Sequence, residues 1–195
     1  MKICVFCGSS SGHDPAYAEG AAAAARTIAR RGADLVYGGA SIGLMGIVAD
    51  AALGAGGEVV GVMPRSLVER ELAHRGITRL HVVETMHERK TTMADLADAF
   101  LALPGGAGTL EEIFEQWTWG QLGIHAKPCA FLDIKGYFAP IRTMVERMVT
   151  DGFLQPQFAG MLSFSGSIDE ILAGFASYVP PPSKWGSATG PAARP

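Results

Sequence analysis

The sequence predicts an α/β protein built on a Rossmann-like, doubly wound parallel sheet with helices on both faces. Short apolar segments alternate along the chain with segments of helical periodicity. The short segments are apolar on both sides, which is typical of parallel strands lying between two layers of helices. The length of 195 residues fits one domain. We therefore expect a single folded domain over residues 1–179.

The first half of the chain contains four predicted strands. They are KICVFCG (2–8), ADLVYGG (33–39), EVVGVMP (58–64) and RLHVVE (79–84). The helix after the first strand is expected to start with Asp14 as its N-cap and Pro15 at its first position, and to end at Gly32. A second helix is expected near residues 42–54, after a glycine turn.

The second half continues the same alternation. The predicted elements are a helix at 86–98, a strand at 99–106, a helix at 109–122, a strand at 128–134, a helix near 138–151, a short strand at 161–165 and a helix at 167–178. Ser167 and Glu170 have the spacing of a capping box at the start of the last helix. Residues 180–195 are rich in proline, glycine, serine and alanine and lack periodicity, so we expect a disordered tail.

Composition narrows the classes of partner. The net charge of −3 argues against a surface for nucleic acid or anionic membranes, which would be basic. No apolar run reaches the ~20 residues of a membrane span. Charged residues make up only 18%, below the usual ~25%, so we expect a second copy to cover apolar surface in a homodimer.

The three cysteines predict a reduced, cytoplasmic protein, because their number is low and odd and no signal peptide precedes them. Cys4 and Cys7 form a C-x-x-C within the first predicted strand. Residues three apart on a strand point to opposite faces, so we expect buried packing cysteines instead of a redox or zinc pair. The five histidines show no metal-ligand spacing, and no metal site is predicted.

Three glycine-bearing segments follow predicted strands. They are CGSSSG (7–12), GGASIGLMG (38–46) and PGGAGT (104–109). Ligands of parallel sheets bind beyond the carboxyl ends of the strands, and free N–H groups at a helix N-terminus favour an anion. Each segment alone is explained as a tight turn, but together they predict one anion site, with Gly8, Ser9 and Gly39 as contacts in the first two. The glycine spacing of a dinucleotide fold and the lysine of a P-loop are both missing, which argues against nucleoside-triphosphate hydrolysis.

Two glutamates follow the third glycine segment, and the second has two interpretations. Thr109 and Glu112 have the spacing of a capping box, which would make Glu112 structural. Alternatively, a carboxylate beside an anion site faces a developing cation, such as the oxocarbenium-like sugar formed when an N-glycosidic bond breaks. Helical geometry places Glu112 opposite the apolar stripe and Glu111 to the side. Glu112 is therefore the catalytic candidate, and Glu111 is a ligand contact or a cap.

An arginine in the preceding helix lies on an apolar face. Arg89 shares this face with methionines and a leucine, which is uncommon for an arginine without a partner. Its guanidinium either points into the site and pairs with Glu112 or the phosphate, or forms an ordinary ion pair with Glu84 or Glu88. The spacing alone favours neither interpretation.

Taken together, these segments resemble the LOG (Lonely guy) family of cytokinin riboside 5′-monophosphate phosphoribohydrolases. PGGAGTLEE fits the family motif PGGxGTxxE, and MHERK fits the arginine-bearing motif upstream of it. CVFCGSSSG, VYGGASIGLMG and TWGQLGIHAKP also match. The resemblance runs from about residue 2 to residue 178.

The resemblance implies a Rossmann-like homodimer that releases a free adenine-type base and ribose 5-phosphate from a nucleoside 5′-monophosphate. N6-modified adenines are the favoured bases of the family, and some relatives also cleave AMP. By motif, Arg89 and Glu112 correspond to the catalytic arginine and glutamate. The implied contacts with substrate and phosphate are Glu71, Lys90, Gly105, Gly106, Ala107, Gly108, Thr109, Leu110, Glu111 and Thr118.

Other functions stay open at this point. A nucleotide-binding or carrier module would need the glycine turns but not the combination of Arg89 and Glu112. An interaction protein would use an apolar dimer face as its main feature. The label lysine decarboxylase, often given to this family, requires a lysine for pyridoxal phosphate, and only Lys90 lies near the predicted site. We therefore expect hydrolysis without metal or cofactor, with the preferred base undetermined.

Overall fold

The computed structural model describes residues 1–70 and 72–185, and its centre is a seven-stranded sheet. Its strand order is β4-β3-β2-β1-β5-β6-β7, and every neighbouring pair is parallel. The strands are β1 Lys2–Phe6, β2 Asp34–Tyr37, β3 Val59–Pro64, β4 Arg79–Val83, β5 Ala99–Ala102, β6 Cys129–Leu132 and β7 Leu162–Ser165. The predicted parallel sheet is confirmed.

Helices connect the strands and cover both faces of the sheet. They are α1 Pro15–Arg30, α2 Gly43–Gly54, α3 Arg65–Val68, α4 Met86–Leu96, α5 Ala107–Leu122, α6 Ala139–Thr150, α7 Pro156–Ala159 and α8 Ile168–Ala176. A short 3₁₀ helix spans Ile134–Gly136. The sequence did not predict α3, α7 or the 3₁₀ helix, because four residues or fewer are too short to show helical periodicity.

The core has two layers, one on each face of the sheet. One layer contains α1, α2 and α8, and the other contains α4, α5 and α6. Cys7 belongs to the first layer and Cys4 to the second, and both are buried free thiols. This confirms that the C-x-x-C spans the strand and packs in the core.

The strand order places a crevice between β1 and β5. The chain runs from β1 outwards to β4 on one side and from β5 outwards to β7 on the other. Phe6 at the end of β1 is paired with Ala102 at the end of β5, so both strands stop at the same level. Ligands of such sheets bind at this reversal point, beyond the carboxyl ends of the strands.

Two caps were predicted at helix N-termini, one at α1 and one at α8. Asp14 caps α1 as expected, since its carboxylate accepts the Ala16 N–H at 2.9 Å. At α8, Ser167 accepts the Glu170 N–H at 3.4 Å, but the Glu170 carboxylate accepts the hydroxyl of Ser165. The predicted capping box of α8 is therefore only half formed.

The start of α5 differs from the prediction. The helix begins at Ala107 with Gly106 as its N-cap, and Thr109 lies inside the first turn with 4% of its surface exposed. The Thr109 hydroxyl packs against Gly105, where a Cβ would lie 2.2 Å from it. The proposed Thr109–Glu112 capping box is therefore wrong, and capping does not explain Glu112.

The chain beyond α8 is only partly described. The Lys184 N–H donates to the Gln121 carbonyl at 2.8 Å, and residues 186–195 lie outside the described residues. The predicted disorder of 180–195 stays a prediction. Within residues 1–70 and 72–185, no helix combines the length and the apolar character that a membrane span needs.

Candidate active site

A cavity of about 370 Å³ lies in the crevice beyond β1 and β5. We call it the site cavity. All three glycine-bearing segments contribute to it, together with α4 and the first turns of α5. Its lining residues are Cys7, Gly8, Ser9, Met45, Met86, Arg89, Gly106, Ala107, Gly108, Thr109, Glu111 and Glu112. Both predicted catalytic residues and much of the predicted phosphate-binding turn are thus brought together.

Backbone contacts through Gly8 join the three glycine segments. The Gly8 N–H donates to the Pro104 carbonyl at 3.0 Å, and the Gly8 carbonyl accepts the Leu44 N–H at 3.0 Å. The approach is so close that a Cβ on Gly43, whose φ is +58°, would lie 2.2 Å from the Ser9 carbonyl carbon. The three turns are therefore packed directly against one another.

The N-terminus of α5 opens into the site cavity without a side-chain cap. Among the described residues, no side-chain oxygen accepts a hydrogen bond from the N–H groups that follow Gly106. The first N–H groups of a helix have no partner within the helix, and its dipole adds partial positive charge there. This end of α5 is therefore suited to an anion such as phosphate.

The glycines of the third segment divide into two groups. At Gly105 a Cβ would lie 2.2 Å from the Thr109 hydroxyl and 2.8 Å from the Gly8 nitrogen, so packing requires glycine there. At Gly106 and Gly108 a Cβ would meet nothing within 4 Å, and neither residue has a positive φ. Since the fold does not require these two glycines, the open space beside them is available to a ligand.

This division predicts that Gly108→Ala stabilises the fold but weakens ligand binding. Alanine in the first turn of α5 is expected to raise the free energy of unfolding by up to about 1 kcal/mol, because its helix propensity is higher. The added methyl group would occupy the space beside the anion site, so KM for a phosphorylated substrate should rise about tenfold. Denaturant unfolding and steady-state kinetics measure the two effects. An unchanged KM would show that the ligand does not approach Gly108.

Glu112 presents an unpaired carboxylate to the site cavity. Among the described residues, none hydrogen-bonds to this carboxylate. Burial raises the pKa of Glu112 to about 7, against the lowering effect of the Arg89 charge. Burial also raises the pKa of the Cys7 thiol, and the nearby Glu112 charge raises it further. Glu112 therefore titrates near neutral pH, as a general acid or base should.

Arg89 is buried, with 9% of its surface exposed, and it binds one backbone carbonyl within β3 and one directly after β2. Its Nε donates to the Val62 carbonyl at 3.1 Å, and its Nη2 donates to the Gly38 carbonyl at 3.2 Å. A Cβ on Gly38 would lie 1.9 Å from Nη2, so this glycine makes room for the guanidinium. The arginine thereby holds a positive charge at the wall of the site cavity, and it acts on Glu112 through space.

Among the described residues, Arg89 forms neither of the two ordinary ion pairs considered for it as an alternative. Glu84 pairs with Arg65 at 2.8 Å. Glu88 forms a capping box with Thr85 at the start of α4, in which Thr85 accepts the Glu88 N–H at 3.1 Å. No ion pair joins Arg89 to Glu112 in the described part of the chain. The interpretation as an ordinary pair with Glu84 or Glu88 is wrong.

Lys90 is held by two carboxylates of α5. Its ammonium donates to Glu111 and, at 3.0 Å, to Glu115. Burial lowers the pKa of Lys90, but the hydrogen bonds to Glu111 and Glu115 more than offset it, so the pKa lies above its usual value. Glu111 thus borders the site cavity while its charge is balanced by Lys90.

Besides Lys90, four predicted contact residues do not border the site cavity. Gly39, with φ +80°, packs against Met63 and Leu80 behind the turn. Thr118 is exposed further along α5, and its hydroxyl donates to the Phe114 carbonyl at 2.7 Å. The remaining two are Leu110, which packs on the core layer of α5, and Gly105, which faces a neighbouring cavity. Glu71 lies outside the described residues, and its role stays a prediction.

Sequence reasoning missed several residues around the site. Met45 and Met86 line the site cavity. A neighbouring cavity of about 310 Å³, on the other side of Gly8 and Gly106, includes Tyr17 and Tyr137 in its lining. Tyr137 follows β6, whose carboxyl end lies on the same edge of the sheet as β5, so its position in the alternation was an available signal.

Comparisons with known proteins place the chain among close relatives. A family model described as "Possible lysine decarboxylase" matches residues 45–175. The cytokinin riboside 5′-monophosphate phosphoribohydrolase LOG7 of Arabidopsis thaliana is 44% identical over 179 residues, which is 92% of this chain and 82% of LOG7. The enzyme of the same name from Rhodococcoides fascians is 46% identical over 177 residues, which is 90% of this chain and 89% of the relative.

Solved structures with a similar fold are more distant in sequence. The molybdenum cofactor carrier protein of Chlamydomonas reinhardtii has a TM-score of 0.68 at 20% identity, covering 89% of this chain and 94% of the carrier. The molybdenum cofactor binding protein of Rippkaea orientalis has a TM-score of 0.68 at 18% identity, covering 90% and 95%. At this level of identity the similarity concerns the fold alone.

Proposed function

Because the chain belongs to the LOG family of cytokinin riboside 5′-monophosphate phosphoribohydrolases, we propose that it hydrolyses the N-glycosidic bond of adenosine 5′-monophosphates, with N6-modified adenines as favoured bases. The products are the free base and ribose 5-phosphate. One observation carries the proposal within the structure: the unpaired Glu112 carboxylate shares a cavity with the N-terminus of α5, which has no side-chain cap.

The arrangement assigns a role to each end of the cavity. The N–H groups at the start of α5 bind the 5′-phosphate, which lies away from the glutamates because like charges repel. Glu112 faces the ribose, stabilises its cationic transition state and orients the attacking water. Water then adds to C1′, the C1′–N bond breaks, and the base leaves with the bonding electrons and takes up a proton.

Arg89 helps to keep the Glu112 carboxylate ionised at neutral pH. Its charge lowers the pKa of Glu112, which burial alone would raise further. Because two backbone carbonyls bind the guanidinium, its charge stays at the cavity wall and does not form a direct ion pair with the Glu112 carboxylate. A direct ion pair would have occupied the Glu112 oxygens that the sugar and the water need.

The raised pKa of Glu112 predicts opposite pH slopes for activity and stability. If the ionised carboxylate supports catalysis, kcat/KM should rise with pH through about 7. The folded pKa exceeds the unfolded value of about 4.3, so the folded protein binds more protons between these values and its free energy of unfolding falls as pH rises there. Both slopes should disappear from Glu112→Gln, measured by pH–rate profiles and by denaturant unfolding. A wild-type rate that falls with pH across this window would contradict the role of Glu112 as a carboxylate.

The description "Possible lysine decarboxylase" does not fit the site. A Schiff-base lysine works as a neutral amine, which enzymes obtain by lowering its pKa. The pKa of Lys90 lies above its usual value because Glu111 and Glu115 hold the ammonium. An absorbance band of a pyridoxal phosphate Schiff base in the purified protein would overturn this conclusion.

The carrier interpretation is less well supported. The similar folds of the molybdenum cofactor proteins show that this architecture serves carriers too. A carrier for an anionic ligand would gain nothing from a desolvated carboxylate that no partner neutralises, since that charge repels the ligand. Glu112 therefore favours hydrolysis.

A homodimer and a cytoplasmic location form part of the proposal. Met86 at the mouth of the site cavity is 49% exposed, and Val82 on the edge strand β4 is 43% exposed. These apolar side chains and the low charge content support a second copy covering this side. Light scattering on the purified protein tests it, since the chain mass is 20.5 kDa. The cytoplasmic location rests on the three reduced cysteines.

Product analysis by chromatography tests the proposed function. The protein is incubated with isopentenyladenosine 5′-monophosphate, with AMP and with unphosphorylated isopentenyladenosine. We expect free base from the monophosphates and none from the nucleoside, because the phosphate anchors the substrate. Their relative rates identify the preferred base. The absence of base from every substrate would overturn the proposal.

A further inference from the structure

A tyrosine outside the site cavity forms a hydrogen bond with the turn before α5. Tyr137 follows the 3₁₀ helix after β6, and its hydroxyl donates to the Gly105 carbonyl at 2.6 Å. Tyr137 lines the neighbouring cavity and does not border the site cavity. Its effect on a ligand in the site cavity must therefore pass through the backbone of the turn.

The Gly105–Gly106 peptide carries that effect. A trans peptide is planar, and its C=O and N–H point in opposite directions; no described peptide bond is cis. When the hydroxyl of Tyr137 holds the Gly105 oxygen, the N–H of Gly106 points away from Tyr137. Within the described part of the chain this N–H has no acceptor. Gly106 borders both cavities and Tyr137 borders only the neighbouring one, so an N–H that points away from Tyr137 points towards the site cavity.

Without this hydrogen bond, the peptide between two glycines would rotate easily. Neither residue carries a Cβ to restrict the rotation, and Gly106 has open space on its side-chain position. A rotated peptide would present its carbonyl oxygen to the site cavity and repel a phosphate. The orientation of this one peptide thus decides whether the turn attracts or repels an anion.

Tyr137 is itself held in place, although 39% of its surface is exposed. Its ring packs edge-on against Tyr17 at 5.5 Å and against Phe138 at 5.0 Å. The Phe138 N–H donates to the Asp133 carboxylate at 2.6 Å, and the buried Phe138 ring packs against Phe131 in the core. The hydroxyl is therefore aimed at the turn by a rigid segment.

We propose that Tyr137 is a positioning residue of the anion site, whose hydroxyl fixes the Gly105–Gly106 peptide so that the Gly106 N–H binds the substrate phosphate. This rests on the proposed function, since it assigns the phosphate of a nucleoside monophosphate to the start of α5. The hydroxyl of Tyr137 affects only the binding energy of the phosphate, and this energy is the same in the ground state and in the transition state. The tyrosine should therefore affect KM and leave kcat nearly unchanged.

Tyr137→Phe tests the proposal, because it removes only the hydroxyl. We expect KM for AMP and the dissociation constant of ribose 5-phosphate each to rise about tenfold, the equivalent of one hydrogen bond to a charged group. The affinity for free adenine should not change. In ¹H–¹⁵N spectra, ribose 5-phosphate should shift the Gly106 amide of the wild type strongly and that of the variant weakly.

Tyr17→Phe is the matched control. It removes a hydroxyl from the same neighbouring cavity, and among the described residues that hydroxyl has no hydrogen-bond partner. Its KM and its ribose 5-phosphate affinity should equal those of the wild type. Equal losses for adenine and ribose 5-phosphate in Tyr137→Phe would indicate general damage and overturn the positioning role.

The direct binding measurement separates this proposal from the proposed function. If wild type binds ribose 5-phosphate without cleaving any monophosphate, the proposed function fails, and Tyr137 is still tested by its effect on binding. If wild type cleaves monophosphates and Tyr137→Phe binds ribose 5-phosphate equally well, only the role of Tyr137 fails. If the wild type neither cleaves a monophosphate nor binds ribose 5-phosphate, both proposals fail.

Discussion

Glu112→Gln is expected to lower kcat about 1,000-fold and to change KM much less. The substitution keeps the size and the position of the side chain in the site cavity but removes the charge that stabilises the cationic sugar. Because no described residue hydrogen-bonds to the carboxylate, the amide leaves no partner unsatisfied, and the fold should be preserved. Its free energy of unfolding should match or exceed that of the wild type at neutral pH, where burial penalises the ionised carboxylate.

Two glutamates on the same chain serve as comparisons. Glu111→Gln makes the identical chemical change one residue earlier, where the carboxylate binds Lys90 at the rim of the cavity. Its loss of kcat should be far smaller. Glu146→Gln changes a residue on α6, in a separate groove, and should leave kinetics unaltered. Single-turnover measurements of base release compare the three variants. A Glu112→Gln enzyme with wild-type turnover would contradict the assignment.

Arg89→Lys is expected to lower kcat/KM about 100-fold, the size of effect that follows from misplacing a catalytic group by about 1 Å. A lysine keeps the charge but cannot reach two carbonyls with one planar fork. The Gly38 and Val62 carbonyls would compete for it, and one buried acceptor left unpaired costs about 1–3 kcal/mol of stability. The pKa of Glu112 should rise as the charge moves away, so the alkaline shift of the pH–rate profile reports the displacement.

Arg65→Lys is the control for this change. Arg65 forms an exposed ion pair with Glu84, and surface pairs of this kind contribute little to stability. Kinetics, pH profile and unfolding should stay close to the wild type. An Arg89→Lys enzyme that behaves like Arg65→Lys would show that the buried fork does not matter for catalysis.

The fold was predictable because its main signal is local. Strands apolar on both faces alternate with helices, and this pattern determines a parallel sheet with its glycine turns on one edge. The motifs then identified Arg89 and Glu112, which the structure places in one cavity. The start of α5 was predicted two residues too late, because glycines at 106 and 108 resemble a turn in sequence and yet one caps the helix and the other lies inside it.

The partners of the site residues were not predictable. Arg89 binds main-chain carbonyls. Every residue has a main-chain carbonyl, so the sequence does not indicate which of them is the partner. The glutamates near it in sequence suggested ion pairs that the structure does not contain. The contact of Tyr137 with Gly105 joins residues 32 positions apart, and only the order of the strands brings them together.

In the proposed mechanism, one helix carries both the N–H groups that bind the phosphate and the carboxylate that acts on the ribose, so α5 sets the distance between them. From the first-turn residues at 107–109 to Glu112 the helix advances about 5–8 Å, at 1.5 Å per residue. A helix does not stretch, so the separation between the bound phosphate and the reacting C1′ is fixed by the number of residues between them. In regioisomers whose phosphate is attached at the 2′ or 3′ oxygen, the distance from the phosphate to C1′ is different. Such a molecule cannot contact the N–H groups at the start of α5 and place C1′ at Glu112 at the same time. The proposed mechanism therefore predicts selectivity for the 5′ isomer from the number of residues between the two groups, independently of any contact with the base.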